Sequence, residues 1–387
     1  MTTSPRIYMV WDNCSVIKRF VKPSEWLRLA KDLGFSYVQA STDNEIDPLF
    51  SSEDYMDEWF REAKKAQEKS GVKIVNFYTG YQTYRTVGFG HFYRPMADHL
   101  KDNWAKRLMR RAKDLGSAGI GFSFFAVPDK LLQNPYEFYE LEERMIEIMR
   151  DLGEYAVELG IDLSMEQMYV PYQPPFTIAQ AEDYLKRCYT PYKCLSYITL
   201  DTGHMIGQAK FLKPDREEIE QSFKKTLPDV WLGADSAYEL WAFYKEKGDF
   251  KKGAAEIEKE INNYPYLFAE TRDTDEFEWF RSLAKYSPIV HMQQTDGKTA
   301  GHASFTAKKN ESGIITGKNL FSAIADCYSN ENDIIPRTEN IYLSFELFYS
   351  NMATKREIFS QLKESLDYWR QFVPYDGITL NEVLLNL

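Results

Sequence analysis

Four residues with hard donor atoms each close a short apolar run. Glu166 follows Ile161-Asp-Leu-Ser-Met, Asp201 follows Tyr197-Ile-Thr-Leu, His291 follows Pro288-Ile-Val, and Glu346 follows Ile341-Tyr-Leu-Ser-Phe. A charged side chain at the exit of a buried strand is costly unless something pairs with it. Three carboxylates and one imidazole form a mostly oxygen donor set, so the four are read together as ligands of one divalent cation. Mn2+ is the first choice, with Mg2+ or Co2+ as alternatives. Such an ion chelates a carbonyl and its neighbouring hydroxyl and polarises both. The C–H between them becomes acidic, and a carboxylate within hydrogen-bond reach removes the proton. Glu166 and Glu346 are the candidate catalytic groups. Two bases on opposite faces of a planar enediolate invert a stereocentre, whereas one base on one face exchanges aldose and ketose.

Residues that act together must be carried to one place. Strand-like runs begin near Arg6, Ser36, Val72, Ala118, Ile161, Tyr197, Ile289 and Ile341, with helical patterns between them. Parallel neighbours need such crossovers. The alternation predicts an α/β fold, a (β/α)8 TIM barrel, whose strand C-termini converge on one face. A doubly wound open sheet would want a phosphate-binding turn after its first strand, and Trp11-Asp12-Asn13 is not one. Thr177-x-x-Gln180 and Thr354-x-x-Glu357 read as capping boxes, and Gly34 as the cap that ends the helix after Ser24. The longest gap separates Tyr197 from Ile289. It carries helical pattern over Pro214–Leu227, Ala237–Lys247 and Lys252–Asn263. The expected organisation is one barrel domain over residues 1–387, with a helical insertion after the sixth strand inside 205–288.

Composition narrows the partners. Asp and Glu number 58 against 47 Lys and Arg, a formal net charge of -11. Nucleic-acid binders need a basic face, so the expected partner is a small molecule and no nucleic acid. Cys14, Cys188, Cys194 and Cys327 are scattered without a Cys-x-x-Cys pair, as in a cytoplasmic protein with reduced thiols and no structural zinc. The first residues show no signal-peptide pattern. No window approaches the roughly 18 uninterrupted apolar residues of a membrane span.

The stretch from Tyr78 to Arg94 is rich in aromatics, among them Tyr78, Tyr81, Tyr84, Phe89, Phe92 and Tyr93. At a barrel mouth it forms a lid or a sugar-stacking wall, or else it packs on a neighbouring loop or subunit. Tyr78 is its first candidate for substrate contact. Arg85 and Arg94 offer phosphate-binding groups. Trp11, at the end of the first strand, either walls the pocket or plugs the barrel. Exposed aromatic loops at the mouth favour a homo-oligomer, a dimer or a tetramer.

On these residues the chain resembles the xylose isomerase-like barrel superfamily, and within it the sugar isomerase and epimerase group that contains the D-tagatose 3-epimerase family. In that group Glu, Asp, His and Glu from strands five to eight hold the metal, matching Glu166, Asp201, His291 and Glu346. The two glutamates double as acid and base. A substrate-contacting histidine follows the aspartate by three residues, matching His204 in Leu200-Asp-Thr-Gly-His204. The resemblance implies a metal-dependent 3-epimerase of a small ketose or ketose phosphate. An aldose-ketose isomerase, or a lyase or decarboxylase acting on a 3-oxo sugar or sugar acid, is the alternative. Two departures bear on the substrate. Ketohexose epimerases carry a second glutamate six residues after the first, where this chain has Tyr172, and a basic residue about six after the histidine, where it has Gly297 followed by Lys298. Lys298 is the candidate for that contact. Superfamily members that repair abasic DNA need more histidines and a basic groove than this acidic chain, with five histidines, supplies.

Overall fold

Strand and helix alternate in the computed structural model as the sequence predicts. The structure describes residues 4–16, 19–43, 46–80, 86–191 and 193–387. The strands are β1 (Arg6–Asp12), β2 (Tyr37–Ser41), β3 (Lys73–Thr79), β4 (Gly119–Phe122), β5 (Asp162–Glu166), β6 (Tyr197–Asp201), β7 (Ile289–Met292) and β8 (Asn340–Phe345). Each pairs in parallel with the next, β8 pairs with β1, and β1 pairs with β2, so the sheet closes. The fold is a (β/α)8 TIM barrel.

Alternate residues of a strand face opposite sides of a sheet. On one side Ile7, Met9 and Trp11 of β1, Leu163 and Met165 of β5, and Leu343 and Phe345 of β8 join the apolar layer beneath the helices. On the other side Tyr8, Tyr37 and Tyr342 stack together inside the barrel, with Tyr8 and Tyr342 rings 4.8 Å apart. This alternation corrects one expectation. Trp11 is fully buried on the helix side, its ring 6.4 Å from that of Phe35, so it neither walls a pocket nor plugs the barrel. Asp12, next in sequence, takes the inward direction.

The surrounding helices are α1 (Pro23–Leu33), α2 (Glu53–Ser70), α3 (Lys106–Leu115), α4 (Pro135–Leu159) and α5 (Ile178–Tyr189) before β6. Gly34 ends α1 at φ 96°, a left-handed conformation that favours glycine. Thr177 caps α5 by accepting from Gln180 N, but Gln180 Oε1 accepts from Phe176 N rather than from the cap residue, so that capping box is only half formed.

Between β6 and β7 lie α6 (Arg216–Ser222), α7 (Asp235–Lys247), α8 (Phe250–Ile261) and α9 (Glu276–Leu283). Phe223 stacks on Trp241 and on Phe250, at 5.5 and 5.1 Å, which ties the first three together. The last leads into β7 and packs on α10 (Gly317–Ser329). After β8, α11 (Lys355–Arg370) starts from the complete capping box of Thr354 and Glu357. A ninth strand, β9 (Ile378–Thr379), pairs antiparallel with the first two residues of β1. Among the described residues no helix is long and apolar enough to cross a membrane.

Candidate metal centre

The barrel registers bring the four strand-end residues together. Asp201 stands opposite His291 across β6 and β7, Glu166 opposite Thr199 across β5 and β6, and Glu346 follows the last residue of β8. One donor atom from each of Glu166, Asp201, His291 and Glu346 lies within 4.8 Å of all the others, and all four residues are buried. The donor set passes a further test of fit. Asp201 Oδ1 accepts from Gly203 N at 2.6 Å and from Gln293 Nε2 at 2.7 Å. Asp201 Oδ2 is equally buried and has no hydrogen-bond partner among the described residues. Buried carboxylate oxygens are ordinarily satisfied, and one left bare beside two more carboxylates calls for a cation. A Cβ on Gly203 would meet the end of the Gln293 side chain at 2.6 Å and push aside the amide that bonds to Asp201.

His291 is held on both sides. Its Nδ1 lies 2.8 Å from Glu166 Oε1 and 3.3 Å from Glu346 Oε2. Its Nε2 lies 3.0 Å from Gln39 Nε2. Gln39 also donates to Asp12 and accepts from Asn76 Nδ2 at 2.7 Å, so β1, β2 and β3 brace a ring carried by β7. Tyr78 Oη donates to Glu166 Oε2, and the Tyr78 ring meets the imidazole edge-to-face at 4.5 Å. Tyr78 is therefore part of the centre. Gly121 on β4 gives it room, since a Cβ there would stand 3.3 Å from its ring.

The two glutamates differ electrostatically. Burial raises the Glu346 carboxyl well above its ordinary value, and the Glu166 charge adds to that. Burial acts the same way on Glu166, but the nearby His291 outweighs it, and the Glu166 carboxyl ends below its ordinary value. Burial lowers His291, yet the Glu346 and Glu166 charges override it and lift the imidazole to about 10. Paired groups driven apart in this way can divide the roles of base and acid.

His204 Nδ1 lies 2.8 Å from the Gln167 carbonyl, which can only accept, so Nδ1 carries the proton. The other ring nitrogen, Nε2, is 3.8 Å from Asp201 Oδ2. The ring rests edge-on against Tyr169 at 4.8 Å. The structure thus joins His204 to the cluster.

It does not join Lys298, which is exposed in a turn where its backbone N–H donates to Asp296 Oδ1 at 2.9 Å. The histidine at this edge of the site is His302, which sequence reasoning misses. Its Nδ1 donates to the Glu346 carbonyl at 3.2 Å and stands 3.4 Å from Glu346 Oε2. Its ring stacks on Phe348 at 4.0 Å and faces His204 at 6.0 Å. Its φ of 47° is rare for a residue with a side chain, as at strained functional positions. Burial lowers its basicity. The one signal in the sequence is the count of histidines, three of five converging here.

The aromatic stretch after β3 divides. Phe89 is fully buried against Trp104, Phe122 and Phe124, so it is core rather than lid. Phe92 and Tyr93 are exposed. Arg94 is engaged by Asp98 and Glu147, at 3.9 and 3.7 Å. Tyr81, Tyr84 and Arg85 lie outside the described residues. Tyr172 is 48% exposed.

A buried carboxylate–imidazole cluster at the C-terminal mouth of a closed parallel barrel is the architecture of a barrel enzyme. The chain belongs to the xylose isomerase-like TIM barrel family, whose model matches residues 27–324. It is 24% identical over 355 residues to the D-erythrulose 1-phosphate 3-epimerase of Brucella abortus (strain 2308), covering 92% of each chain. Among solved structures, a Rhodospirillum rubrum ATCC 11170 protein with a provisional xylose isomerase name superposes with a TM-score of 0.67 at 18% identity, covering 94% of this chain and 98% of that one. A Clostridium cellulolyticum H10 D-psicose 3-epimerase, solved with D-tagatose, superposes with a TM-score of 0.53 at 13% identity, covering 94% and 98%. Those two likenesses concern the fold.

Proposed function

We propose that the protein is a metal-dependent 3-epimerase of a small ketose or ketose phosphate, acting through a cis-enediolate. The coarser statement, a sugar epimerase or isomerase of the xylose isomerase-like superfamily, is common to the family and the Brucella relative. The observation that carries the finer one is the pairing of Glu166 and Glu346 about a single imidazole. They come from β5 and β8, with β6 and β7 between them, so they enter the site from different sectors of the ring.

Glu166, Asp201, His291 and Glu346 would hold the ion, with Mn2+ preferred by the mostly oxygen set. A divalent cation there supplies Lewis-acid polarisation of the ketose carbonyl and its neighbouring hydroxyl. Glu166, kept ionised and oriented by Tyr78, takes the C3 proton of one epimer. Glu346, on the other side of the imidazole and entering the step with its proton, returns that proton to the opposite face. In the reverse direction the roles exchange. His204, fixed as the Nδ1–H tautomer, offers Nε2 to a substrate hydroxyl.

The test is a panel of tetruloses to hexuloses, free and phosphorylated, incubated in D2O with Mn2+, Mg2+ or Co2+ and followed by NMR. Epimerisation places deuterium at C3 of the new epimer. An aldose product instead marks an isomerase, and carbon–carbon or glycosidic cleavage a lyase. No exchange with any sugar and metal would remove the whole reading.

A further inference from the structure

Besides the metal centre, the barrel mouth carries a cavity of about 370 Å³ between the loops after β1 and β8. Cys14, Ser15 and Arg19 line it from one side, and Phe348, Ser350 and Asn351 from the other. Its charge sets it apart on an acidic chain. Among the described residues the lining includes one arginine and no carboxylate. Two other cavities, of about 580 and 300 Å³, are each lined by four carboxylates, Glu137, Glu140, Glu143 and Glu147 in one and Glu142, Asp183, Glu270 and Asp273 in the other.

Its donors are poised. Arg19 Nη2 is tied to the Ala353 carbonyl at 2.6 Å, which anchors the guanidinium and leaves further N–H groups of its five. Ser15 Oγ is buried and without a hydrogen-bond partner among the described residues. The Cys14 thiol is kept neutral, because burial and the charges of Asp12 and Glu346 push it well above its ordinary value.

The cavity also adjoins the reaction site. Phe348, which lines it, stacks on His302, and His302 bonds to Glu346. Phosphate sites in TIM barrels are frequently formed by the loops after strands seven and eight, and Phe348, Ser350 and Asn351 belong to the loop after β8.

We infer that this cavity is the subsite for the terminal phosphate of the substrate, with Arg19 and Ser15 as its donors, so that the enzyme acts on phosphorylated rather than free ketoses. The inference rests on the epimerase reading for the identity of the other end of the substrate.

The experiment has a binding arm that needs no turnover. Inorganic phosphate is titrated into the metal-loaded wild type, Arg19→Gln, Arg19→Lys, Ser15→Ala and Arg28→Gln, with 31P NMR line broadening as the readout. Arg28 is exposed on the outer face of α1 and controls for charge alone. Loss of a charge-assisted contact should weaken phosphate about tenfold or more in Arg19→Gln. Ser15→Ala should weaken it less, Arg19→Lys should recover part of the loss, and Arg28→Gln should match wild type. In the kinetic arm, the ratio of kcat/KM for a ketose phosphate to that for the free ketose should fall in Arg19→Gln by a similar factor, through KM. Equal phosphate affinity in wild type and Arg19→Gln overturns the subsite, as does a wild-type ratio near one or a preference for a carboxylate-terminated ketose. Arg19-dependent phosphate binding without C3 exchange in any ketose keeps the subsite and sinks the epimerase reading. Exchange with no phosphate effect does the reverse.

Discussion

Gln293 Nε2 donates to Asp201 Oδ1 at 2.7 Å and, with Gly203 N, saturates that carboxylate oxygen, while the other, Oδ2, stays buried and bare. The asymmetry predicts a metal-dependent stability. A ligand that binds only the folded state stabilises it, by about 2.7 kcal/mol at a hundred times its Kd. Protein stripped with a chelator should therefore melt lower than protein re-titrated with Mn2+. Asp201→Asn, which keeps the shape and removes the charge, should abolish most of that difference. A melting temperature indifferent to metal in the wild type would refute the ligand assignment.

The glutamate pair gives a second expectation. Glu166→Gln and Glu346→Gln keep hydrogen-bonding groups near His291 but cannot move a proton. Each should reduce turnover by about two to four orders of magnitude, the scale of general acid–base catalysis. Circular dichroism should show the fold retained. Two active variants would leave neither glutamate with a role in proton transfer.

A third expectation concerns the brace behind His291. Gln39 touches His291, Asp12 and Asn76 at once, all in the barrel interior. Gln39→Leu strands buried polar groups on three strands and should cost about 1–3 kcal/mol in denaturant unfolding. Partners of metal-ligating histidines orient the ring, so Mn2+ affinity measured by calorimetry should fall by about 10- to 100-fold. Unchanged affinity in a folded Gln39→Leu protein would reduce Gln39 to a packing residue.

The barrel and its four strand-end residues are legible in the sequence because apolar runs mark buried strands and a charge at the end of one must be paired. Direction is harder to read. Trp11 lies near the end of its strand as a pocket residue would, yet the alternation Ile7, Met9, Trp11 against Tyr8, Val10, Asp12 places it under the helices. Spacing carried over from relatives fails in loops: counting from His291 lands on Lys298, which a turn at Asp296 holds at the surface, while the chain returns to the site only at His302. His302 sits beyond Gly301 with a positive φ, outside any periodic pattern. Two-residue β9 is too short to leave one.

A final prediction tests the opposite end of the barrel. Asp162 opens β5 beside Gly119, where a Cβ would stand 2.6 Å from the Asp162 carbonyl. Burial pushes its carboxyl up to about 6. Its folded value thus lies above its unfolded one, near 3.9. Protonation favours the folded state, so this group's contribution is fully present below about pH 4 and is lost as pH rises through about 6. Asp162 is partly open to solvent, so the effect should be about 2 kcal/mol rather than the roughly 3 kcal/mol of a wholly buried site. Asp162→Asn carries no charge at any pH. It should match the wild type near pH 4 and exceed it by about 2 kcal/mol at pH 7.5 in urea unfolding. A variant no more stable than wild type at pH 7.5 would mean that water reaches the carboxylate and that the strand start carries no electrostatic penalty.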